Sequence, residues 1–338
     1  LNSNNDLKLK INLEFMILKK ILEKKISIKI IDIFLGIFFI FTYPFFFTFY
    51  KFGSKRLVFT RNIFKLLGFY PIYNHYYQPN FKNNYSQIKK REILQKEKSF
   101  LDIKSQVLLL KKFKYERELK NIFTKNNEVN HDLLNINNRS FSSGDGEFLY
   151  QFIRFTKPNR VIEIGCGNST LIISKALSLN NENENINSQL ICIEPYENKW
   201  LESIVKNVMR IKVEDVPLKE FNKLKSCDLL FIDSSHILKP NQDVFFIYNH
   251  ILPILKKGVY IHIHDIFTPK DYPKDWLLED IRFWNEQYLL ECILSSSNRY
   301  EVIAALNFLK HNRYKELKRV CPYLNKNREP GSIYLKVR

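Results

Sequence analysis

The feature that most restricts the fold is the stretch Val161–Thr170, VIEIGCGNST. A short apolar run passes straight into a Gly-Cys-Gly turn and then into residues with helical spacing. An apolar run of this length fits a strand covered on both faces. Glycine at the turn permits positive φ and lets a ligand approach the backbone closely. Strand, glycine turn and helix in that order form the opening unit of a parallel α/β sheet.

The chain after Phe141 repeats this alternation. Strands are expected at Val161–Ile164, Leu190–Ile193, Val208–Ile211, Asp228–Ile232 and Val259–Ile263, with two more at Tyr300–Leu306 and Ser332–Val337. Helices are expected near Thr170–Leu179, Glu197–Lys206 and Asp243–Leu255. The fold class is therefore α/β: a Rossmann-like, doubly wound, seven-stranded and mostly parallel sheet. The polar run Asn180–Asn187, NNENENIN, reads as a solvent loop between the first helix and the second strand.

Two constellations carry chemistry. The first pairs Gly165 and Gly167 with Glu194, which ends the second strand 27 residues after Gly167. A carboxylate there can accept both hydroxyls of a ribose. A dinucleotide turn would want a third glycine at Thr170, so a nicotinamide enzyme fits poorly. The second is FIDSSH with IHIHDIF. Asp233 ends the fourth strand, His236 follows three residues on, and His264 and Asp265 end the fifth. In open α/β sheets, ligands bind outside the carboxyl ends of the strands, so these four should meet at one rim. A histidine there can take a proton, and two carboxylates can hold a divalent ion. Alternation puts His262 on the same face as His264, and His262 is read as a core histidine.

Together these residues resemble the class I S-adenosylmethionine-dependent methyltransferases, in the bacterial branch similar to catechol-type O-methyltransferases. SSGDGEFLYQFIR, DLLFIDSSH, LPILKKGVYIHIHDIF and RFWNEQYLL are similar to segments of that branch, as is GFYPIYNHYYQP upstream. The resemblance implies that Gly165 and Gly167 face the methionine part of S-adenosyl-L-methionine. It implies that Glu163 holds the turn near the cofactor's amino group and that Glu194 binds ribose. Glu214 or Asp215 would touch the adenine, and Asp145 would reach the cofactor from the leading helix. His264, His236 and Asp265 would be catalytic. Asp233 and Asp265 would hold Mg²⁺, although Ile266 stands where the relatives carry the Asn that completes the metal site. Trp276, Phe283, Trp284, Asn285, Glu286 and Tyr288 would line the acceptor pocket. The implied activity is methyl transfer, at oxygen, to a small-molecule, sugar or lipid-linked glycan acceptor. The competing reading is a non-catalytic membrane-associated module that keeps the fold for binding.

The N-terminal part reads differently. Ile33–Tyr50 contains no charged residue, and 18 residues just reach the minimum for a bilayer crossing. Lys19, Lys20, Lys24, Lys25 and Lys29 precede it, and Lys51, Lys55, Arg56, Arg61 and Lys65 follow, so the flanks set no orientation. Pro44 should kink or end a helix. A single span, a dip that returns to the same side, and a buried helix are the three readings, and membrane association through residues 33–50 is favoured. Three regions are expected: 1–60 membrane-associating, 61–139 helical and connecting, 140–338 catalytic. The net charge of +18 is spread along the chain, with no Arg-rich arm and no RNA-binding signature, so no nucleic-acid partner is expected. Five cysteines without a CxxC pair argue for a reducing compartment, hence the cytoplasm or the cytoplasmic face of a membrane.

Overall fold

The computed structural model describes residues 25–72, 79, 100–124, 134–138, 140–184, 186–196 and 198–338. Lys19, Lys20 and Lys24 lie outside the described residues, as do most of Tyr73–Phe81 in the aromatic stretch and Gln87–Ser99 of the lysine-rich stretch. The chain divides into two compact units, Leu1–Lys82 and Asn83–Arg338.

In the first unit, α1 spans Lys25–Phe52 and α2 spans Val58–Leu67. α1 continues through Pro44 as one helix. The dip-and-return reading, which needs the chain to reverse inside the apolar run, does not describe it. Among the described residues, Ile28–Phe52 is the helix long and apolar enough to cross a membrane, and its most apolar window has no buried residue. Gly53 ends α1 at φ +78°, a left-handed conformation that glycine adopts without strain. Phe49 and Phe64 then meet edge to face at 4.9 Å, joining the end of α1 to α2.

In the second unit, α3 (Ile103–Lys112) precedes α4 (Asp145–Thr156). Seven strands follow: β1 Arg160–Ile164, β2 Gln189–Ile193, β3 Asn207–Met209, β4 Leu229–Ile232, β5 Tyr260–Ile263, β6 Tyr300–Ala305 and β7 Ile333–Val337. Their order across the sheet is β3-β2-β1-β4-β5-β7-β6, with β7 antiparallel to both neighbours and the other pairings parallel. The expected fold class is the observed one, and the strands match their expected positions to within two residues.

Alternation along each strand divides the core into two layers. Ile162, Ile164, Leu230, Ile232, Ile261 and Ile263 pack on one face. Val161, Leu229, Phe231 and Tyr334 pack on the other, against Phe148 and Phe152 of α4. α3 belongs with this unit: Gln106 Oε1 accepts from Ala305 N of β6 at 2.9 Å. The first connecting helix, α5, runs Asn168–Glu184. The polar run 180–187 therefore starts as helix and not as loop. Asn180 is buried, donating to Ile153 O at 3.0 Å and accepting from Arg154. Polarity alone misread it, because a buried side chain amide whose bonds are satisfied is tolerated inside a packed interface.

Candidate functional site

The sheet order reverses between β1 and β4, and ligand crevices open outside the carboxyl ends of strands at such a switch point. Here the main chain continues the ladder past each strand end. Gly165 N donates to Ile193 O at 3.1 Å, Asp233 N to Ile164 O at 2.9 Å, and His264 N to Ile232 O at 2.9 Å. Gly165 sits at φ +78°, and a Cβ built there would lie 1.8 Å from Asp233 O. Any side chain at 165 would collide with the neighbouring strand. A Cβ at Gly167 would instead make only an ordinary van der Waals contact, 3.7 Å from Asn198 Nδ2.

A cavity of about 860 Å³ lies over this turn. It is within the range of small-molecule and cofactor sites, roughly 300–1,000 Å³. Gly165, Gly167, Glu194, Glu214 and Asp233 all line it. Glu194 is buried, with Oε2 accepting from Cys166 N at 3.2 Å and Oε1 from Tyr196 N at 2.9 Å. The glycine turn and the acid are thus tied together, with the acid on the cavity wall. Both line the same cavity.

Three sequence assignments move. Asp215 is exposed and lies off the cavity wall; its neighbour Glu214 lines it, because the short 3₁₀ turn Val213–Asp215 points residue 214 inward. Asp145 is fully buried and does not line the cavity. Its Oδ1 accepts from Gly331 N at 3.0 Å and Ser332 Oγ at 2.6 Å, fastening α4 to the start of β7. Glu163 is also fully buried and off the cavity. It accepts from Ser169 Oγ at 2.7 Å and so holds the turn from beneath. Burial pushes its carboxyl up to about 7 despite the Ser169, Thr170 and Cys192 bonds. Aromatic residues beside Glu194 were not anticipated: Tyr196, 73% exposed, and Trp200 both line the cavity. The signal was legible, since an aromatic two and six residues after a strand-end acid can flank a planar base.

The second constellation begins where the cavity meets Asp233. His236 Nε2 lies 3.3 Å from Asp233 Oδ1 and 3.5 Å from Asp265 Oδ2, and its Nδ1 lies 2.8 Å from Glu286 Oε2. Trp284 covers the ring, with centroids 4.3 Å apart. His236 and Asp265 both adopt left-handed φ, +59° and +56°. The loop is held by Asn285 N and Glu286 N, which donate to His236 O at 3.0 and 3.2 Å. Such conformations persist only where surrounding bonds fix them. Burial opposes charge on His236, but Asp233 and Glu286 outweigh it and raise its pKa well above the usual value. Burial raises the Asp265 carboxyl, whereas His264 and His236 outweigh burial at Asp233 and lower it.

His264 is buried against Phe141, with Nε2 3.5 Å from Asp265 Oδ1. Burial opposes its charge too, yet Asp265 and Asp233 raise its pKa. His262 lies in the core, stacked 4.1 Å from Phe231 and bonded to Ser332 Oγ at 3.0 Å, and burial lowers its pKa well below the usual value. Of the expected acceptor-pocket residues, Trp276 and Trp284 meet edge to face at 5.1 Å, with the Arg282 guanidinium over both rings. Glu286 belongs to the histidine cluster, and Tyr288 bonds Asp271.

Asp233, His236 and Asp265 each offer one donor atom within 4.8 Å of the others, which fits a divalent ion. A mixed oxygen–nitrogen set suits Mn²⁺ or Zn²⁺ better than Mg²⁺, which prefers oxygen alone. Ile266 is buried in the core and offers no side-chain ligand.

Residues 162–266 match the family model described as Methyltransferase domain. No curated protein matches the chain. Three solved structures are similar to parts of it. The O-methyltransferase from Bacillus cereus in complex with SAH is 13% identical at TM-score 0.37, over 75% of this chain and 97% of that one. The apo structure of CmcI-N160 is 9% identical at TM-score 0.35, over 58% and 72%. The MycE methyltransferase from the mycinamycin biosynthetic pathway, in complex with Mg, SAH and mycinamycin VI, is 14% identical at TM-score 0.28, over 55% and 46%. The glycine turn and the end of the fourth strand, which line the cavity at the switch point, lie inside residues 162–266, the part of the chain that matches the Methyltransferase domain model.

Proposed function

We propose that this enzyme methylates a hydroxyl of a small-molecule, sugar or lipid-linked acceptor, and that its N-terminal unit attaches it to a membrane. The observation that carries the first part is the continuity from the cavity to a buried base. Asp233 lines the cavity and is also 3.3 Å from His236.

In this reading Gly165 and Gly167 give the cofactor backbone to lie against, Glu194 takes the ribose hydroxyls, and Tyr196 and Glu214 flank the base. Bound S-adenosylmethionine supplies a methyl group on a positively charged sulfur, which leaves as a neutral thioether. The protein's tasks are then alignment and removal of the acceptor's proton. His236 Nε2 receives that proton. Glu286 fixes the ring through Nδ1, and Asp233 and Asp265 stabilise the imidazolium that results. His264 orients Asp265. As an alternative to a free histidine base, Asp233, His236 and Asp265 would together hold a divalent ion, which would supply Lewis acidity to lower the acceptor's pKa.

Membrane attachment rests on α1. At ~1.5 Å per residue, Ile28–Phe52 is about 37 Å long, more than the roughly 30 Å hydrocarbon thickness. Many of its aromatic side chains are uncovered, Phe45 being 76% exposed, while Phe49 is buried against α2. Attachment at a bilayer would place the site within reach of a lipid-linked acceptor.

The test is methyl transfer from labelled cofactor to a panel of hydroxylated acceptors, with and without lipid carriers. Turnover of at least one hydroxyl acceptor, abolished in His236→Ala, is expected. Tight cofactor binding with label transferred only to amine acceptors would reject oxygen as the site.

A further inference from the structure

α2 has three faces. Phe64 points at α1, stacking on Phe46 and meeting Phe49 edge to face. At 100° per residue, Phe59, Ile63, Leu66 and Leu67 share a second arc, and all four are exposed; Phe59 and Leu66 are each 81% exposed. Arg61, Lys65 and Asn62 form the third arc. An apolar arc left open beside a cationic one is unstable in water and suited to a membrane interface.

The charge of the region selects the kind of surface. Between Asp32 and Glu92 the sequence has no acid, whereas Lys51, Lys55, Arg56, Arg61 and Lys65 all fall at the end of α1, in the turn, or on α2. A protein helix covering the apolar arc would leave these cations unmatched. An anionic headgroup layer matches both features at once. The cap at Gly68, where Phe69 N reaches back to Phe64 O at 3.0 Å, ends α2.

We propose that α2 lies in the interface of an anionic phospholipid bilayer. Phe59, Ile63, Leu66 and Leu67 enter the acyl boundary, and Arg61 and Lys65 meet the phosphates. This rests on the reading of α1 as a membrane helix and adds a lipid class to it. Each cation near an anionic surface strengthens attachment about 5-fold, the equivalent of ~1 kcal/mol.

The test uses the full chain reconstituted into vesicles, with exposed Cys227 and Cys292 changed to Ser and a polarity-sensitive fluorophore on Leu66→Cys or Asn62→Cys. Vesicles are phosphatidylcholine alone or phosphatidylcholine with a minority of phosphatidylglycerol. In anionic vesicles the Leu66 probe should be blue-shifted and several-fold less quenched by aqueous acrylamide than the Asn62 probe. Plain phosphatidylcholine, or Arg61→Gln with Lys65→Gln, should reduce that difference. Equal quenching at the two positions in a chain that floats with anionic vesicles overturns the α2 proposal and leaves α1 standing. A chain that does not float with either vesicle overturns both. Protection of Leu66 that follows protein concentration rather than lipid charge, with Leu66→Cys cross-linking between copies, assigns the face to a second copy and also overturns it.

Discussion

Gly165→Ala is the most demanding single-atom perturbation of this site. The new Cβ would lie 1.8 Å from Asp233 O and 2.9 Å from its carbonyl carbon, so either the turn or the end of β4 has to move. The φ of +78° adds about 1–2 kcal/mol for a residue with a Cβ. Moving Asp233 endangers the 2.9 Å bond from its N–H to Ile164 O, worth about 1 kcal/mol. The sum is about 2–3 kcal/mol before any loss of packing, a large share of a typical 5–15 kcal/mol stability. Because Glu194 is bonded to the same turn through Cys166 N, cofactor affinity should fall with it, by at least ~10-fold for each 1.4 kcal/mol of misalignment. Urea unfolding and calorimetry with S-adenosylhomocysteine measure the two effects. Gly167→Ala is the control: its Cβ meets nothing closer than 3.7 Å, so stability should hold within about 0.5 kcal/mol while binding weakens. A Gly165→Ala protein with unchanged stability and affinity would refute the close approach of β1 and β4.

Three further outcomes follow from buried groups. Glu163, raised to about 7 from an unfolded value near 4.5, keeps its proton in the folded state over that interval while the unfolded chain loses it. Its contribution therefore declines between about pH 4.5 and 7, by up to about 3 kcal/mol; Glu163→Gln should flatten that slope in urea titrations at several pH values, and an identical slope would contradict the burial argument. Asp145→Ala removes the acceptor of Gly331 N and Ser332 Oγ and should cost about 2–4 kcal/mol by thermal unfolding, with S-adenosylhomocysteine affinity nearly intact; a large affinity loss at full stability would restore Asp145 to the cofactor site. His236, held protonated by Asp233 and Glu286, should make kcat/KM rise with pH above neutrality, and Glu286→Gln should move that rise to lower pH; by the same sign, the stability His236 lends is present below its unfolded pKa and lost as pH rises through the raised folded value. A limb that stays in place in Glu286→Gln would remove Glu286 from the account.

The sheet was readable because each parallel strand is covered on both faces and so appears as an unbroken apolar run, Leu229–Ile232 most clearly. The glycine turn and Glu194 were readable for a related reason: their chemistry lies in the backbone and at a strand end, positions that sequence order fixes. What failed depended on the direction of side chains outside strands. Asp145 looks like a cofactor acid in sequence, yet it is buried against Gly331 and Ser332; Glu163 holds the turn through Ser169 as expected, but from beneath and off the cavity wall. Asp215 and Glu214 differ by one residue of a 3₁₀ turn, which no periodicity resolves. The approach of Glu286 to His236, 50 residues apart, was invisible because it is made by tertiary packing of the first turn of α6 (Glu286–Ser296) against the loop after β4.

The most direct test of the central claim is titration of S-adenosylhomocysteine into the full chain and into Glu194→Ala by calorimetry. Saturable binding by the native protein is expected. Loss of the carboxylate should weaken it by about 1–3 kcal/mol, roughly 5- to 150-fold. Equal affinity in the two proteins, or no heat of binding in the native one, would contradict the placement of the nucleoside between Gly165 and Glu194.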